Sequence, residues 1–574
     1  MNGVTGFEGF MARLGDNAER FPDRRALVFC RDGGEEEVHT YRSLDLAARS
    51  VGAWLATKVT PGERVLLSYP SGLGFVTAFL GCLHAGAVAV PVPVPDTYRR
   101  QYDRVTAVCR DAEPALVLTD ADRAEAVSAW ISHSGLGVEV AVVGRGEPGR
   151  RAELSRDALA FLQYTSGSTS EAKGVMVRHG DLVDNILVGS RLLDLTEGPR
   201  FCSWLPVYHD MGLVAMILLP LYLGGTTVLM SPTDFLRRPW VWLDLIGKYG
   251  AEVSAAPNFA YDLCARRVTD QQVRGMDLSS WRHACNGAEP IDAGTLARFA
   301  DRFAVAGLKP EALTAGYGMA EATLFISGTA SGRPPVVTRA DPGALARDTL
   351  LPDDAGRPLV SCGRPGVMDV RIVDPDTHAE LPDGRVGEIW VRGDGVASGY
   401  WRKEEETRHC FGATTGSGES GFLRTGDLGV LADGELYVTG RIKDMVIVNG
   451  RNLYPHDIER AVAGLVPAME NLPSCVFSVT VPHEEIVIVQ EIRTRAVTEE
   501  TLTRLAGEIR SALGRRLGVT VANVSFVRPG AIPKTTSGKI RRGTTRELFV
   551  SGRLDARHED LSAGVIGHHR GGVS

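Results

Sequence analysis

Residues 163–177 combine small side chains and hydroxyls with one lysine, a composition suited to binding an anion. They read Gln-Tyr-Thr-Ser-Gly-Ser-Thr-Ser-Glu-Ala-Lys-Gly-Val-Met-Val. Small residues let consecutive backbone N–H groups turn toward an anion, and hydroxyls and the ammonium add donors. The segment would suit the triphosphate of a nucleotide, although such clusters are also typical of plain surface loops. It lacks the GxxxxGK[ST] spacing of a P-loop.

Two carboxylates and a second lysine lie in other Gly-containing segments. Glu321 follows Tyr317 by four residues. A carboxylate beside phosphates is costly unless a cation such as Mg²⁺ lies between them. Asp427, within Arg-Thr-Gly-Asp-Leu, could hold a ribose diol. Lys539 lies in a Ser/Gly segment far along the chain from Lys173.

Two further clusters are ambiguous when read from the residues alone. His209 lies between aromatic and apolar neighbours, where a histidine is more often a satisfied core residue than a participant in catalysis. Residues 286–290, Asn-Gly-Ala-Glu-Pro, form a tight turn. Such a turn could let a flat ring approach the backbone, or it could be only a turn.

Bulk properties narrow the class of protein. The chain has 574 residues, 44% hydrophobic and 23% charged, which predicts more than one domain and ample core material. A net charge of −7 argues against nucleic acid as a partner. No apolar run reaches the 18–20 or so residues of a membrane span, and the first residues lack a signal-peptide pattern. We therefore expect a cytoplasmic protein. Its nine scattered cysteines are expected to be free thiols.

The elements that must position these clusters alternate between strand and helix. Apolar runs at 26–30, 64–68, 87–92, 115–118 and 138–143 predict strands, and a helix between the first two presents Leu44, Val51 and Leu55 on one face. This alternation predicts an α/β fold with mostly parallel sheets. Residues 381–440 predict a small antiparallel β-unit. The roughly 130 residues that follow predict a separate, smaller α+β domain.

The order of the clusters resembles that of the adenylate-forming superfamily, which includes acyl- and aryl-CoA synthetases, nonribosomal adenylation domains and firefly luciferase. The resemblance covers about residues 21–542 and rests on residues 164–174, 316–321, 424–427, 440–444 and 533–539. Residues 205–213, 230–232, 256–264 and 285–291 are most similar to the fatty acyl-AMP ligases. These motifs imply a large N-terminal domain over 1–440 and a mobile C-terminal domain over 441–552. We expect the tail, 553–574, to be disordered.

The resemblance also implies a reaction and a role for each motif. A carboxylate would attack the α-phosphorus of ATP to give acyl-AMP and pyrophosphate, and a phosphopantetheine thiol would then take the acyl group. Lys539 would be the central catalytic residue, Glu321 would bind Mg²⁺, and Lys443 would be the hinge. Asp427 and Arg441 would bind the ribose. The β- and γ-phosphates would be held by Thr165, Ser166, Gly167, Ser168, Thr169, Lys173 and Gly174. The adenine would be bound by Gly287, Ala288, Glu289, Pro290 and Tyr317, and Gly318 and Met319 would be further residues of the ATP/AMP site.

The implied acyl pocket lies between the helix after Met211 and residues 254–261. His209 would stand at its mouth near the carboxylate, and Gly450 beside the pantetheine path. The pocket residues would be His209, Met211, Gly212, Ala256, Asn258 and Phe259. The lack of an aspartate for an α-ammonium group argues against an amino acid substrate.

An extra segment and an altered loop set this chain apart within the superfamily. Residues 334–360, rich in Pro, Asp and Arg with little helix or strand pattern, are either an ordinary surface insertion or, by resemblance, a restraint on the C-terminal domain that disfavours coenzyme A. Ser170 and Ala172 replace the family's glycine and proline, which puts the rate in doubt more than the reaction. The leading prediction is a fatty acyl-AMP ligase that uses ATP and Mg²⁺ and loads an acyl carrier protein. Its alternatives are an acyl-CoA ligase, an enzyme for aryl or substituted acids, and a binding protein that has lost the chemistry.

Overall fold

A computed structural model describes most of the chain. The described residues are 8–31, 34, 36–95, 99–144, 146–150, 154–165, 172–448, 451–463, 465, 469, 472–493, 498–517, 519–534 and 539–569. Several predicted residues lie outside them, namely Ser166, Gly167, Ser168, Thr169, Ser170 and Gly450.

The first sheet has six strands and carries the segment that begins at Gln163. In spatial order its strands are Glu139–Val142, Leu116–Thr119, Arg64–Ser68, Val88–Val92, Leu159–Tyr164 and Gly174–Arg178. All neighbours are parallel except the last pair, which is antiparallel. The helices before and between these strands are Tyr41–Leu55, Leu73–Ala85, Arg99–Ala112 and Ala124–His133. The predicted alternation of strands and helices is confirmed for this part of the chain.

The second sheet has eight strands. In spatial order they are Phe325–Gly328, Leu313–Gly318, His283–Asn286, Val253–Ala256, Arg200–Ser203, Thr226–Met230, Arg25–Cys30 and Glu36–Thr40. The inner pairs are parallel and the pair at each edge is antiparallel. Phe79 and Phe161 pack edge to face at 5.6 Å in the core that continues from the first sheet into this one. The carboxyl ends of the parallel strands open on one side, where ligands bind in open α/β sheets.

Helices and short turns of helix cover the second sheet. The α-helices are Phe10–Arg20, His179–Leu192, Leu219–Tyr222, Pro232–Arg237, Pro239–Tyr249, Asn258–Arg267, Asp270–Arg274 and Ala293–Phe303. A π-helix spans Met211–Leu218, and 3₁₀ turns span Ala304–Ala306, Pro310–Ala312 and Ala320–Ala322. None of the helices in the described ranges is long and apolar enough to cross a membrane.

The predicted antiparallel β-unit is confirmed and has four strands. They are Asp369–Val373, Gly387–Arg392, Leu423–Ala432 and Glu435–Arg441, each antiparallel to the next. A short helix, Glu404–Cys410, lies between the second and third strands, and a 3₁₀ turn, Ile442–Asp444, follows the fourth. The unit therefore ends where the predicted hinge at Lys443 begins.

The segment 334–360 has more regular structure than its sequence pattern indicates. Strands Val337–Ala340 and Arg357–Val360 pair antiparallel, and a short helix spans Pro342–Leu345. Leu345 and Leu359 are buried with Tyr437 of the β-unit. The prediction of little helix or strand was wrong because a few apolar residues, buried against an existing sheet, suffice to order a segment dominated by Pro, Asp and Arg.

The C-terminal part is an α+β unit built on its own core. Strands Val446–Val448 and Arg451–Leu453 form a hairpin. A second sheet contains, in spatial order, Ser474–Thr480, Glu484–Glu491, Asn523–Val527 and Ala556–Asp560. The helices are Pro455–Ala463, Glu499–Leu517, Arg542–Val550 and Ala563–His569. Leu502, Leu505, Ile509 and Leu513 are buried, so the long helix presents an apolar face to this core.

The expectation of disorder over 553–574 was wrong for most of that tail. Strand Ala556–Asp560 pairs antiparallel with Asn523–Val527, and Arg510 binds Asp560 at 2.7 Å. Val565 in the last helix is buried beside Phe549. The charged composition of the tail gives no sign of a strand. An edge strand can nevertheless form there, because its backbone pairing with the neighbouring strand does not depend on apolar side chains.

Candidate active site

A cavity of about 1220 Å³ lies between the large N-terminal part and the C-terminal unit. It opens at the carboxyl ends of the parallel strands of the second sheet. The predicted residues that line it are Thr165, Lys173, His209, Met211, Gly287, Ala288, Glu289, Pro290, Tyr317, Gly318, Met319, Glu321, Asp427, Arg441, Lys443 and Lys539. Segments up to 374 residues apart in the sequence, counted from Thr165 to Lys539, are thus brought to one site.

Lys173 lies at the end of the predicted phosphate segment. The strand Gly174–Arg178, which begins at the next residue, is tightly packed at its first residue. Tyr164 donates a 2.6 Å hydrogen bond to Oδ2 of Asp111, and a Cβ on Gly174 would lie 2.8 Å from the Tyr164 ring. Glycine is therefore required at 174 by packing, and Gly174 does not line the cavity. The Lys173 ammonium lies 5.4 Å from the centre of the Tyr400 ring, a cation–π distance.

Glu321 projects into the cavity from the 3₁₀ turn Ala320–Ala322. Thr323 ends this turn at φ +61°, and its hydroxyl donates a 2.7 Å hydrogen bond to the carbonyl of Gly395. Tyr400 donates a 2.8 Å hydrogen bond to Oε1 of Glu321. Burial raises the pKa of the Glu321 carboxyl, and the Tyr400 hydrogen bond opposes that rise. One carboxylate beside a phosphate site fits Mg²⁺, which proteins commonly hold through one or two carboxylates and substrate phosphates.

The turn 287–290 and the strand end at 316–319 approach each other closely. A Cβ on Gly287 would lie 2.9 Å from the carbonyl oxygen of Gly316, and Ala288 has φ +66°. Glu289 accepts a 2.6 Å hydrogen bond from the backbone N–H of Phe259. Burial raises the pKa of the Glu289 carboxyl. A side chain at 287 would therefore collide with the backbone of the neighbouring strand, and both segments line the cavity.

Asp427 is held by two side chains on opposite sides of the cavity mouth. Tyr317 donates to Oδ2 at 2.9 Å, and Nε of Arg441 donates to Oδ1 at 2.8 Å. Asp427 is 4% exposed, and its charge raises the pKa of Arg441. The three side chains are therefore fixed relative to one another, although Tyr317 and Asp427 are 110 residues apart.

Glu388 holds the segment that contains Asp427 in place, and the sequence analysis did not identify it as a functional residue. Its Oε1 accepts a 3.1 Å hydrogen bond from the backbone N–H of Gly426. Its Oε2 accepts from Nε of Arg424 at 3.0 Å and from the indole of Trp390 at 2.9 Å. The available signal was one acid beside the apolar residues Ile389, Trp390 and Val391 of the strand Gly387–Arg392.

His209 is oriented by its neighbour in sequence. Nδ1 of His209 lies 2.5 Å from Oδ1 of Asp210, and the same oxygen accepts a 2.7 Å hydrogen bond from the N–H of Met211. Burial acts to raise the pKa of the Asp210 carboxyl, but His209 and Lys539 outweigh it, so the pKa lies below its ordinary value. Asp210 was given no role from the sequence, yet it fixes the histidine at the cavity wall.

Lys539 enters the cavity from the C-terminal unit. Burial lowers the pKa of its ammonium, and Arg441 lowers it further. Asp210, Glu289 and Asp427 act in the opposite direction. The lysine therefore lies near residues predicted to bind the adenine and the ribose, and near Asp210, the partner of His209.

The apolar end of the cavity differs from the predicted acyl pocket. Its wall is formed by Phe201, Met211, Ala215, Met216, Leu219, Val253 and Ala255. Gly212, Ala256, Asn258 and Phe259 do not line it, so four of the six predicted pocket residues lie elsewhere. Strand residues alternate between faces, so Ala255 faces the cavity and Ala256 faces away.

The displaced pocket residues have structural contacts of their own. A Cβ on Gly212 would collide with the carbonyl oxygen of Pro206. Oδ1 of Asn258 accepts a 3.1 Å hydrogen bond from Asn286, which supports the turn at 287. Phe259 packs edge to face on Trp204 at 6.0 Å. These residues stabilise the walls without facing the cavity.

The segment 334–360 contacts the C-terminal unit directly. Arg357 binds Asp457 at 2.8 Å and His456 at 2.6 Å, and its guanidinium lies 5.0 Å from the centre of the Tyr454 ring. All of these groups are largely buried, and burial lowers the pKa of Arg357. The contact ties the insertion to the helix that follows the predicted hinge.

Comparison with known proteins agrees with this architecture. The family described as AMP-binding enzyme matches residues 14–401, and a second family, described as Disco-interacting protein 2-like, AMP domain, matches residues 443–559. The chain belongs to the AMP-binding enzyme family, which confirms the resemblance to adenylate-forming enzymes.

Among individual proteins, the medium-chain-fatty-acid–[acyl-carrier-protein] ligase JamA of Moorena producens is 39% identical, over 93% of each chain. The 4-hydroxyphenylalkanoate adenylyltransferase of Mycobacterium tuberculosis is 37% identical, over 94% of this chain and 92% of its own. The crystal structure of a fatty acid AMP ligase from Legionella pneumophila superposes with a TM-score of 0.75 at 35% identity, covering 96% of this chain and 97% of its own.

Proposed function

We propose that this protein activates a fatty acid with ATP and transfers the acyl group to the phosphopantetheine thiol of an acyl carrier protein. In the first step a carboxylate oxygen bonds to the α-phosphorus while the bond to the β-phosphate oxygen breaks, releasing pyrophosphate. In the second step the sulfur bonds to the acyl carbon and AMP leaves. The position of Lys539 carries this proposal, because it brings an ammonium of the C-terminal unit into the cavity near Asp427, Glu289 and the Asp210 that holds His209.

The side chains of the site have distinct parts in this mechanism. Attack of one anion on another needs alignment and neutralisation of charge more than proton transfer. The Lys539 ammonium would bridge the carboxylate and the α-phosphate, and Asp427 would hold the ribose in register through its fixed contacts. His209, oriented by Asp210, would border the carboxylate. Bound Mg²⁺, held by Glu321, would neutralise phosphate charge.

The acyl group would extend along the apolar end of the cavity. Phe201, Met216 and Val253 offer no charged partner there, which favours an unsubstituted aliphatic chain. One relative is named for a medium-chain fatty acid and another for a hydroxyphenylalkanoate, so an aryl acid is the second candidate substrate. ATP–pyrophosphate exchange across short to long fatty acids, aryl acids and amino acids tests this step. Exchange with fatty acids is the expected result, and exchange confined to aryl acids would replace the substrate assignment.

The acceptor needs a separate experiment. The contact of Arg357 with Asp457 supports a restrained C-terminal unit and hence a carrier protein rather than coenzyme A. Thioester formation should be measured with coenzyme A and with a holo carrier protein side by side. Efficient acyl-CoA formation would establish the alternative, an acyl-CoA ligase. The cytoplasmic location stays a prediction.

The variant Lys539→Ala tests the assignment of roles. We expect exchange to fall by about 10²–10³-fold, the usual effect of removing one group that stabilises transition-state charge. Lys58→Ala, an exposed lysine that pairs with Glu139 away from the cavity, is the control and should retain most of the rate. Full activity of Lys539→Ala would refute the role assigned to this lysine, and absence of exchange in the folded wild type with every acid would support a binding protein.

A further inference from the structure

Arg104 is a cavity-lining cation for which neither the motifs nor the mechanism has a use. It lies on the helix Arg99–Ala112 and lines the cavity together with Thr165, Lys173 and Tyr208. Among the described residues, no carboxylate pairs with its guanidinium. A partly buried cation without a counter-charge is costly, so a ligand that supplies one is expected beside it.

A second arginine reaches the same cavity from the other domain. Arg541 lies two residues after Lys539 and directly precedes the helix Arg542–Val550, and it lines the cavity as well. Burial lowers the pKa of Arg104, Tyr208 opposes that effect, and the charge of Arg541 lowers the pKa further. Two guanidinium groups from different domains therefore repel each other across the cavity.

Among the described residues, no carboxylate contributes to the pKa shift of Arg104, and several acids of the cavity are held by other groups. Asp210 is held by His209, Asp427 by Arg441 and Tyr317, and Glu321 by Tyr400. The charge between the two arginines must come from outside the described protein groups. Tyr208, which acts on Arg104, accepts through its carbonyl a 3.0 Å hydrogen bond from Gln163, the first residue of the segment predicted to bind phosphates, and this favours an oxyanion of phosphate chemistry as the missing group. Arginine binds phosphate through two parallel N–H donors, so a pair of them suits a polyphosphate.

We propose that Arg104 and Arg541 bind the β- and γ-phosphates of ATP, and the pyrophosphate they become, from opposite domains. The proposal rests on the function proposed above. The negative charge of the polyphosphate would cancel the repulsion between the two arginines. The arrangement with Lys539 in the cavity is therefore favoured when ATP is bound. Release of pyrophosphate restores the repulsion and favours reopening before the acyl group is transferred.

Four single variants test this role by steady-state exchange. Arg104→Gln and Arg541→Gln should each raise the KM for pyrophosphate and for ATP about tenfold, the usual effect of losing one charge-assisted hydrogen bond. The KM for the acid should not change. Arg104→Lys, which keeps the charge, should recover part of the affinity. Arg110→Gln, an exposed arginine on the same helix that contacts the carbonyl of Ser134, is the control and should match the wild type.

Calorimetric titration of the full chain with inorganic pyrophosphate gives a readout that needs no acid substrate. The wild type should bind, and each Gln variant should bind about tenfold more weakly. If no acid supports exchange but this pattern holds, the assigned reaction fails while the phosphate site stands. Unchanged pyrophosphate affinity in folded Arg104→Gln would overturn the proposal. A lower Tm with parallel rises in the KM for the acid and for ATP would likewise overturn it in favour of a packing role.

Discussion

The phenol of Tyr400 donates a 2.8 Å hydrogen bond to Oε1 of Glu321, and the Lys173 ammonium lies 5.4 Å from the centre of the same ring. Tyr400 thus joins the predicted metal ligand to the predicted phosphate segment. It has no place in any of the sequence motifs, and it orients both groups without itself carrying charge.

Tyr400→Phe is expected to weaken the use of Mg²⁺. Burial raises the pKa of Glu321 and the Tyr400 hydrogen bond lowers it, so removing the phenol raises that pKa further. Mg²⁺ binds the ionised form of Glu321. The loss of activity on lowering the pH should therefore occur at a higher pH in Tyr400→Phe than in the wild type. The Mg²⁺ concentration for half-maximal exchange should rise about tenfold. Tyr437→Phe, which removes a phenol bonded to Thr338, is the control.

Lys539 should set the alkaline limit of adenylation. Burial lowers the pKa of its ammonium, so the bridging charge is lost as pH rises, below the ordinary lysine value of about 10.4. Exchange rates measured from pH 7 to 10.5 should fall on the alkaline side. Lys539→Arg should lower the rate but remove that limb, since arginine does not titrate there. An identical alkaline limb in the arginine variant would assign it to another group.

Glu388→Gln should destabilise the β-unit and impair nucleotide binding together. Glu388 is 2% exposed, and its loss of charge leaves the Arg424 guanidinium buried beside a neutral amide. We expect a loss of about 3 kcal/mol in the free energy of unfolding, measured by urea denaturation. The KM for ATP should rise because Gly426, which precedes Asp427, loses its anchor. Glu419→Gln, in an exposed pair with Arg392, should cost less than about 1 kcal/mol. Equal losses in the two variants would contradict this account.

Arg357→Ala should widen the choice of thiol acceptor. The contacts of Arg357 with Asp457, His456 and Tyr454 restrain the C-terminal unit. If their loss removes about 1.4 kcal/mol of stabilisation, the equilibrium between the restrained and the free positions of this unit shifts tenfold. The ratio of acyl-CoA to acyl-carrier product should therefore rise, with exchange nearly unchanged. Arg347→Ala, an exposed arginine of the same insertion, is the control. A ratio that stays at the wild-type value would show that the insertion does not control the acceptor.

The limits of the sequence prediction are clearest at the acyl pocket. The resemblance placed the acyl chain beside residues 254–261 and named Ala256, but which of Ala255 and Ala256 faces the cavity depends on the register of strand Val253–Ala256 with its neighbours, and it is Ala255 that lines the cavity. The π-helix Met211–Leu218 has no local signature, although it presents Met211, Ala215 and Met216 to the cavity. Burial of apolar residues against distant strands likewise ordered the segment 334–360 and the tail, which composition alone described as irregular.

The sequence by itself determined the family and the α/β alternation, and it named Lys173, Glu321, Asp427 and Lys539, which line the cavity, because each lies in a short local pattern. Only the tertiary structure decided which groups meet. Tyr317 and Asp427 are hydrogen-bonded across 110 residues, and Arg104 and Arg541 line one cavity across 437. Such pairs leave no local pattern, because their energies arise from burial and charge between elements that only folding brings together.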